Sequence, residues 1–168
     1  MIIESRPGKQ RVTIGPPGGP EVTIPKSYKI AITEMDPYDI EVEVEWTPSE
    51  GKLTARRQRF TAHPGRESVT VGRIGRLSVR EAVRTDLEVA ALGSGGWTGL
   101  VAKHSDDDPV AVDALVYLLA VALDSPKPSA TVALARGLSP ASGPKRVAEA
   151  RKRGLIPPTE PGKASGAM

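Results

Sequence analysis

Residues 40–46 read Ile-Glu-Val-Glu-Val-Glu-Trp and alternate apolar and acidic side chains more cleanly than any other part of the chain. Successive side chains on a β-strand point to opposite faces, so this stretch predicts a strand with one buried face and one wet face. Strands of this kind are typical of antiparallel sheets that cover a core on one side only. The stretch therefore predicts an antiparallel sheet in the first half of the sequence.

The next segment predicts the partner of this strand. Residues 53–62 (LTARRQRFTA) follow a turn at residues 49–51 and form a basic strand. Ion pairs between Glu41, Glu43 and Glu45 on one strand and Arg56, Arg57 and Arg59 on the other help to set the register. Each such pair contributes about 0.2–1 kcal/mol. The sequence therefore predicts a hairpin with a charged outer face.

Shorter alternating segments complete the sheet, which we expect to have five or six strands. They lie at residues 11–14, 21–24, 28–33 and 68–71. The first two flank residues 15–20, a run of Gly and Pro that is typical of a hairpin-like connection. Residues 1–10 are polar, contain Pro7-Gly8, and are expected to form a flexible N-terminus.

The periodicity then changes from two residues to that of a helix. Ser78-Val79-Arg80-Glu81 is a capping box, in which the Ser and Glu side chains satisfy each other's backbone amides. Apolar residues at helical spacing follow, and Gly93 predicts the end of the helix. Residues 93–105 begin with Gly93-Ser94-Gly95-Gly96, which lacks the Lys-Ser/Thr of a phosphate-binding loop, and are expected to form a linker.

Three helices are predicted after this linker. Asp108-Pro109 begins the first, because Asp is a good cap and Pro fits the first helical position. Residues 110–123 are apolar on almost every side, so this helix is expected to be central, or shared with a second copy of the chain. A second helix covers residues 128–136, and a third ends at Arg153, with Gly154 after it in a Schellman-type ending.

The last two helices fit the requirements of a helix-turn-helix motif. Ala133 is the small residue midway in the first helix, Gly137 accepts positive φ at the turn, and Leu138 is the apolar residue that follows. Gly143-Pro144 departs from the pattern, because Pro cannot lie in a helix interior and an apolar residue is usual at position 143. We therefore predict that Ser142 caps the last helix.

The outward face of the last helix supplies the candidate DNA contacts. Val147, Ala150 and Leu155 are expected to face inward. Residues expected to contact bases are Ser142, Lys145, Arg146, Glu149 and Arg153. Residues expected to contact the DNA backbone are Lys127, Ser129, Thr131, Arg136 and Lys152.

A family resemblance points the same way. Residues 126–166 resemble the C-terminal part of small, uncharacterised helix-turn-helix proteins of actinobacteria and their phages or mobile elements. The matching features are Ala133 with the Gly137-Leu138-Ser139 turn, the run VAEARKRGL at residues 147–155, and Pro161-Gly162-Lys163. The front half, with Leu77-Ser78-Val79-Arg80 at its helix entry, is similar more loosely. The resemblance implies double-stranded DNA as a partner and supplies no catalytic residue.

Charge is distributed unevenly along the 168 residues, although the formal net charge is only +3. Residues 105–125 hold five Asp and no basic residue. Residues 126–168 hold eight Lys or Arg and two Glu, which gives +6 and would attract a polyanion. The acidic stretch from Ser105 to Asp113 would repel DNA if it shared a face with the basic segment. This favours an alternative function, a phage or mobile-element assembly or interaction protein whose helix-turn-helix binds protein.

Composition excludes several other classes. The chain has no cysteine, so disulfides, thiolate nucleophiles and Cys-ligated zinc are ruled out. There is no apolar run near the roughly 18–20 residues of a membrane span and no apolar leader, so we expect a cytoplasmic protein without a membrane partner. His104 near residues 106–108 could form a weak metal site, but an acidic helix start explains those aspartates without a metal, and we favour that explanation. We expect no cofactor, no metal and no enzyme activity.

The predicted fold is α+β, with an N-terminal antiparallel sheet region followed by a C-terminal three-helix helix-turn-helix unit. Its expected divisions are a flexible N-terminus at 1–10, a β-rich domain closed by one helix at 11–92, a linker at 93–105, a helix-turn-helix domain at 106–156 and a disordered tail at 157–168. A homodimer is expected, because one such unit has few side chains that can read bases. The predicted function is DNA binding, as a transcriptional regulator or accessory factor.

Overall fold

A computed structural model describes residues 2–33, 38–64 and 79–158. Its strands are β1 (Ile2–Pro7), β2 (Arg11–Ile14), β3 (Val22–Pro25), β4 (Ser27–Thr33), β5 (Tyr38–Thr47) and β6 (Lys52–Ala62). Its α-helices are α1 (Val79–Leu92), α2 (Gly96–Lys103), α3 (Pro109–Ala122), α4 (Pro128–Ala135) and α5 (Gly143–Lys152), with 3-10 turns at Gly93–Gly95 and Pro140–Ser142. The α+β class is confirmed. The predicted strand at 68–71, the capping Ser78 and all but the first two residues of the predicted tail lie outside the described residues.

The chain divides into two compact units. The first holds the described residues of 1–11 and 25–90, and the second holds those of 12–24 and 91–168. The β2–β3 hairpin therefore belongs with the later helices, whereas the sequence placed residues 11–92 in one β-rich domain. Gly19 in the hairpin connection gives the reason, because a Cβ there would lie 3.4 Å from the Cβ of Ala111 on α3. The hairpin thus packs on the helix at the centre of the second unit.

The first unit is built on a four-stranded antiparallel sheet in the order β1-β4-β5-β6. Strand β1 pairs with β4 from Ile2 opposite Thr33 to Pro7 opposite Tyr28. The prediction of a flexible N-terminus is thus wrong over residues 2–7. The segment is short and mostly polar, and it is held by ladder hydrogen bonds to its neighbour rather than by a strong apolar pattern of its own.

The predicted charge pairing across β5 and β6 is confirmed. Glu41 lies 3.4 Å from Arg59, Glu43 lies 3.9 Å from Arg57, and Glu45 lies 3.5 Å from Arg56. A β-bulge falls between Glu43 and Val44 on β5, where the ladder shifts from Arg57 to Ala55 on β6. The extra residue of the bulge is Arg56, so two successive arginines can both reach the outer carboxylates.

The inner face of this sheet forms the core of the first unit. Its buried side chains are Tyr28, Ile30, Ile32, Tyr38, Ile40, Val42, Val44 and Leu53, each at most 3% exposed. Helix α1 contributes the buried Leu87 to this core. The period-two apolar pattern of the sequence thus corresponds to one buried sheet face.

The second unit is arranged around α3. Ten of the fourteen residues of α3 are buried, which confirms the predicted central helix. Asp108 caps it, since its Oδ1 accepts a hydrogen bond of 3.2 Å from the Val110 amide, and Pro109 takes the first helical position as expected.

The predicted linker at 93–105 is wrong, because most of it is helical. After the 3-10 turn, α2 buries Trp97 and Leu100, one helical turn apart, and packs against α3 and α4. The glycines that suggested a linker form only the helix entry, with Gly93 and Gly96 at positive φ. The described part of this unit therefore has four α-helices from residue 96 onward, rather than the three of the predicted motif.

Candidate nucleic-acid interface

Helix α4 ends in the glycine turn that the sequence predicts. The amide of Leu138 donates to the carbonyl of Ala133, and that of Gly137 donates to Leu134, both at 2.9 Å, with Gly137 at φ 67°. This pair of hydrogen bonds is a Schellman motif. Leu138 is 42% exposed, however, so it does not pack inward as the apolar residue of a helix-turn-helix would.

The entry to α5 explains the residue that departs from the motif. Ser142 takes the predicted N-cap position, and Pro144 lies in the first turn. The Ser142 side chain does not cap the helix as predicted, because its hydroxyl donates to the carbonyl of Ser139 at 2.7 Å instead of accepting from a helix amide. Gly143 is buried, and a Cβ there would overlap the backbone carbonyl oxygen of Ser129 on α4. Glycine is therefore required because α5 begins directly against the backbone of α4.

Helix α5 has a buried side and an exposed side. Val147 and Ala150 are at most 1% exposed, in agreement with the sequence. The exposed charged residues of the helix and its C-cap are Lys145, Glu149, Lys152 and Arg153, and Pro144 and Ala148 are exposed as well. Lys145, Glu149 and Lys152 are spaced by four and three residues, so they share one stripe of the helix surface.

Two of the predicted DNA contacts are bound to a carboxylate inside the second unit. Asp113 of α3 has a side chain that is 3% exposed, and its Oδ1 accepts a hydrogen bond of 2.8 Å from Nε of Arg136. Its Oδ2 accepts one of 2.7 Å from Nη1 of Arg146. Arg136 also donates to the Pro109 carbonyl at 2.7 Å. Both guanidinium groups therefore point toward α3.

The arginines at the end of α5 also have partners in the fold. Arg153 lies 3.0 Å from Glu149 and 3.2 Å from the N-cap residue Asp108. Arg151 donates to the Tyr117 hydroxyl at 2.9 Å, and its guanidinium carbon lies 5.3 Å from the centre of that ring. Arg153 nevertheless remains 48% exposed in a pair that solvent screens.

The residues predicted to hold the DNA backbone are dispersed. Lys127 is exposed at the N-cap position of α4, whereas Ser129 and Thr131 are half-buried within that helix. The Thr131 hydroxyl lies 3.2 Å from that of Ser125. Lys152 lies on α5. The lysines are thus the exposed cations of this set.

The region keeps an excess of positive charge after pairing. Residues 126–158 contain seven Lys or Arg and one Glu, which gives +6. Residues 105–125 of the same unit hold five Asp and no Lys or Arg, and two of these acids, Asp108 and Asp113, pair with arginines of this region. The acidic segment therefore lowers the formal charge of residues 105–158 to +1, and a positive surface depends on where the exposed lysines lie.

Sequence reasoning missed the structural roles of Asp113 and Gly143. Asp113 is the single charged residue within the apolar run at 110–123, and a charge in such a run is buried only when it is paired. The isolation of this acid in an apolar run could therefore have predicted a buried ion pair. For Gly143, its position at the start of the helix could have predicted a close contact between α5 and a neighbouring backbone, because only a small residue permits one.

The other chemical candidates of the sequence are ordinary pairs. His104 Nδ1 lies 2.8 Å from Asp107, and His63 Nε2 lies 3.0 Å from Asp39. Among the residues that the structure describes, no three His, Cys, Asp or Glu side chains form a group that could hold a metal ion. None of the described helices has the length and apolar character needed to cross a bilayer.

Comparison with known proteins found no matching family model, no matching curated protein and no matching solved structure.

Proposed function

We propose that the second unit binds double-stranded DNA through α5 and the start of α4, as a transcriptional regulator or an accessory factor of a phage or mobile element. The observation that supports this proposal is the two-sided character of α5, which buries Val147 and Ala150 and leaves Lys145 and Lys152 exposed. A cationic stripe on a helix anchored by its apolar side is suited to a DNA groove.

In this proposal the lysines act mainly through phosphate neutralisation. Lys152 on α5 and Lys127 at the start of α4 contact phosphates, and each contact releases condensed counterions. Lys145 in the first turns of α5 is placed to reach a base edge, where Lys hydrogen-bonds to O6 and N7 of guanine.

We assign Arg136 and Arg146 a supporting role. Because both donate to the buried carboxylate of Asp113, their contribution to DNA binding is to hold α5 in place. Arg153, Ser142 and Glu149 remain proposed contacts at the exposed end and side of the helix. With so few groups facing the groove, we propose that two copies bind together as a homodimer.

The test is a fluorescence polarisation titration with a random-sequence duplex at two salt concentrations. We expect the Lys145→Ala/Lys152→Ala variant to bind at least tenfold more weakly, with a salt slope smaller by about one for each phosphate that a lysine no longer neutralises. Lys29→Ala/Lys103→Ala removes the same charge from exposed sites elsewhere and should bind like the unmodified protein. Equal affinity of the two double variants would overturn the proposal.

A second candidate function is protein binding in an assembly. The exposed Leu134 and Leu138, 63% and 42% exposed, lie on both sides of the turn between α4 and α5 and favour it. A protein partner would bind with little salt dependence, and its affinity would fall in Leu134→Ser/Leu138→Ser. Duplex binding through the lysines predicts a strong salt dependence and an affinity that Leu134→Ser/Leu138→Ser leaves unchanged.

A further inference from the structure

Strand β1 lies at one edge of the four-stranded sheet. It pairs with β4 along one side, and among the described residues no strand pairs with its other side. A sheet edge of this kind presents a row of N–H and C=O groups to which a strand of another chain can pair. The outer side of β1 is therefore a place where the sheet of the first unit can be extended.

The hydrogen bonding to β4 decides which backbone groups of β1 face outward. The amide of Gly8 donates to the carbonyl of Ser27 at 2.8 Å, and this pair continues the register of the two strands. Hydrogen-bonded pairs alternate along an antiparallel ladder, so the even-numbered residues of β1 bond to β4. Ile3, Ser5 and Pro7 consequently point their backbone groups to the outer side. Pro7 fits this arrangement, because the N–H that it lacks would lie on that side.

The side chains of β1 alternate between the two faces of the sheet. Ser5 lies opposite the buried Ile30 of β4 and belongs to the inner face. Glu4 and Arg6 lie on the outer face, with side chains that are 64% and 83% exposed, and their charged groups are 4.0 Å apart along the strand. The edge thus carries one acid and one base on a surface open to solvent.

We propose that β1 pairs with β1 of a second copy of this chain, antiparallel and centred on Ser5. Glu4 then lies opposite Arg6 of the second copy and Arg6 lies opposite its Glu4, because a two-fold axis repeats each contact. Opposite charges at directly opposite positions stabilise a sheet, and like charges destabilise it. Strands centred on Glu4 or on Arg6 would place like charges against each other, so the charge pattern selects Ser5.

The backbone groups match in the same register. The amide and carbonyl of Ser5 bond to those of Ser5 in the second copy, and the Ile3 amide donates to the carbonyl of Pro7 in the second copy. None of these bonds needs the N–H that Pro7 lacks. Glu4 and Arg6 form a pair without backbone hydrogen bonds, in which opposing side chains approach most closely. The two sheets of four strands become one continuous sheet.

This inference rests on the homodimer proposed above and names its surface, which lies wholly in the first unit and forms without DNA. A contact between two six-residue strands is small. We therefore expect a dimer that assembles reversibly as the protein concentration rises.

Sedimentation velocity without DNA measures the mass of the protein over a range of concentrations. We expect the unmodified protein to shift from the mass of one chain toward that of two. Arg6→Glu places acids opposite each other and Glu4→Arg places bases opposite each other, so each variant should self-associate more weakly by roughly tenfold or more. An equal mixture of the two variants should dimerise like the unmodified protein, because every contact then joins opposite charges.

Two results would overturn the proposal, namely a mixture that stays monomeric while the unmodified protein dimerises, and an unmodified protein that stays monomeric at every concentration. Lys103→Glu is the charge-reversal control, because Lys103 is exposed on α2 in the second unit. It should associate like the unmodified protein. Equal weakening by Lys103→Glu would mean that net charge controls the association, and it would remove β1 from the interface.

Ser5→Pro tests the backbone contact separately. It removes an amide that faces away from β4, so β1 keeps its pairing with β4 and loses the central hydrogen bonds to the second copy. Dimerisation should be lost in Ser5→Pro and retained in Ser5→Ala, which keeps the amide. Far-UV circular dichroism checks that both variants keep the sheet, and normal dimerisation of a folded Ser5→Pro would contradict the pairing. Lys145→Ala/Lys152→Ala should dimerise normally, so a loss of duplex binding alone bears on α5 and leaves this interface standing.

Discussion

Nη1 of Arg146 lies 2.7 Å from Oδ2 of Asp113, although these residues are 33 positions apart and belong to different helices. Arg136 binds the other oxygen of the same carboxylate at 2.8 Å. One buried acid thus connects the central helix α3 to the end of α4 and to the first half of α5.

We predict that the two arginines stabilise this unit in a strongly non-additive way. Arg136→Ala or Arg146→Ala alone should lower the free energy of unfolding by about 1–3 kcal/mol, the range for a hydrogen bond to a charged group. The double variant should lose more than the sum of the two single losses, because each single variant leaves Asp113 with one partner and only the double variant leaves the buried carboxylate with neither arginine. Urea unfolding of the four proteins measures the coupling.

Lys145→Ala is the control for this cycle, because Lys145 is exposed beside Arg146 on α5. It should change the free energy of unfolding by less than about 0.5 kcal/mol. If the loss in the double variant equals the sum of the two single losses, the two arginines do not act together on Asp113.

The close approach of Gly143 to Ser129 leads to a second prediction. Gly143→Ala should destabilise the protein by about 1–3 kcal/mol, because its Cβ would overlap a backbone carbonyl that cannot move without shifting α4. Gly99→Ala in α2 is the matched control, since its Cβ would have nothing within 4 Å. That change should stabilise by about 0.5–1 kcal/mol, as expected for alanine in a helix. Thermal unfolding distinguishes the two, and equal effects would contradict the close approach.

Local patterns predicted much of this fold. The alternation at 40–46 and the basic segment after it predicted that β5 and β6 pair with opposite charges on their outer face, and Asp108-Pro109, Gly137 and Gly154 predicted helix ends. In each of these cases the cause lies within a few residues or on an adjacent strand. The Schellman-type ending at Gly154 is an example, since the Leu155 amide donates to the Ala150 carbonyl at 3.0 Å, only five residues earlier in the chain.

The features that were missed depend on distant parts of the chain. Strand β1 exists because β4 pairs with it, and the β2–β3 hairpin joins the second unit because α3 packs beneath it. At the candidate site, the outward position of Lys145 and Lys152 followed from helical spacing. The inward turn of Arg136 and Arg146 did not, because it depends on Asp113, which is 23 and 33 residues away.

The hydroxyl of Tyr28 is the subject of a third prediction. Tyr28 is 1% exposed, burial raises its pKa to about 12, and its hydroxyl has no hydrogen-bond partner among the described residues. Tyr28→Phe should therefore raise the free energy of unfolding by about 1 kcal/mol, because an unsatisfied buried polar group is removed.

Tyr117→Phe is the matched control, since the Tyr117 hydroxyl accepts a hydrogen bond from Arg151. It should lower the free energy of unfolding by about 0.5–1.5 kcal/mol. If Tyr28→Phe instead lowers the free energy of unfolding as much as Tyr117→Phe does, the Tyr28 hydroxyl has a hydrogen-bond partner in solution.

Asp86 on α1 should make stability depend on pH. Burial raises the pKa of its carboxyl above the ordinary value of 3.8, an effect that a hydrogen bond with Ser5 partly opposes. An acid with a higher pKa in the folded state binds protons more readily there. The stability that protonated Asp86 contributes is therefore fully present below the pKa of the carboxyl in the unfolded chain. It is lost as the pH rises through the higher pKa of the folded protein. At neutral pH the buried charge destabilises the unit.

Asp86→Asn should accordingly raise the Tm by about 1–4 °C at pH 7, a modest gain because solvent screens a partly exposed carboxyl. The gain should shrink toward zero below pH 3.8, where the carboxyl of the unmodified protein is protonated in both states. Asp106→Asn makes the same change at an exposed carboxyl and is the matched control. Calorimetric scans from pH 3 to 8 measure the two variants together. A constant gain across that range would mean that the effect of Asp86→Asn comes from packing, since only a titrating carboxyl can make it vanish in acid.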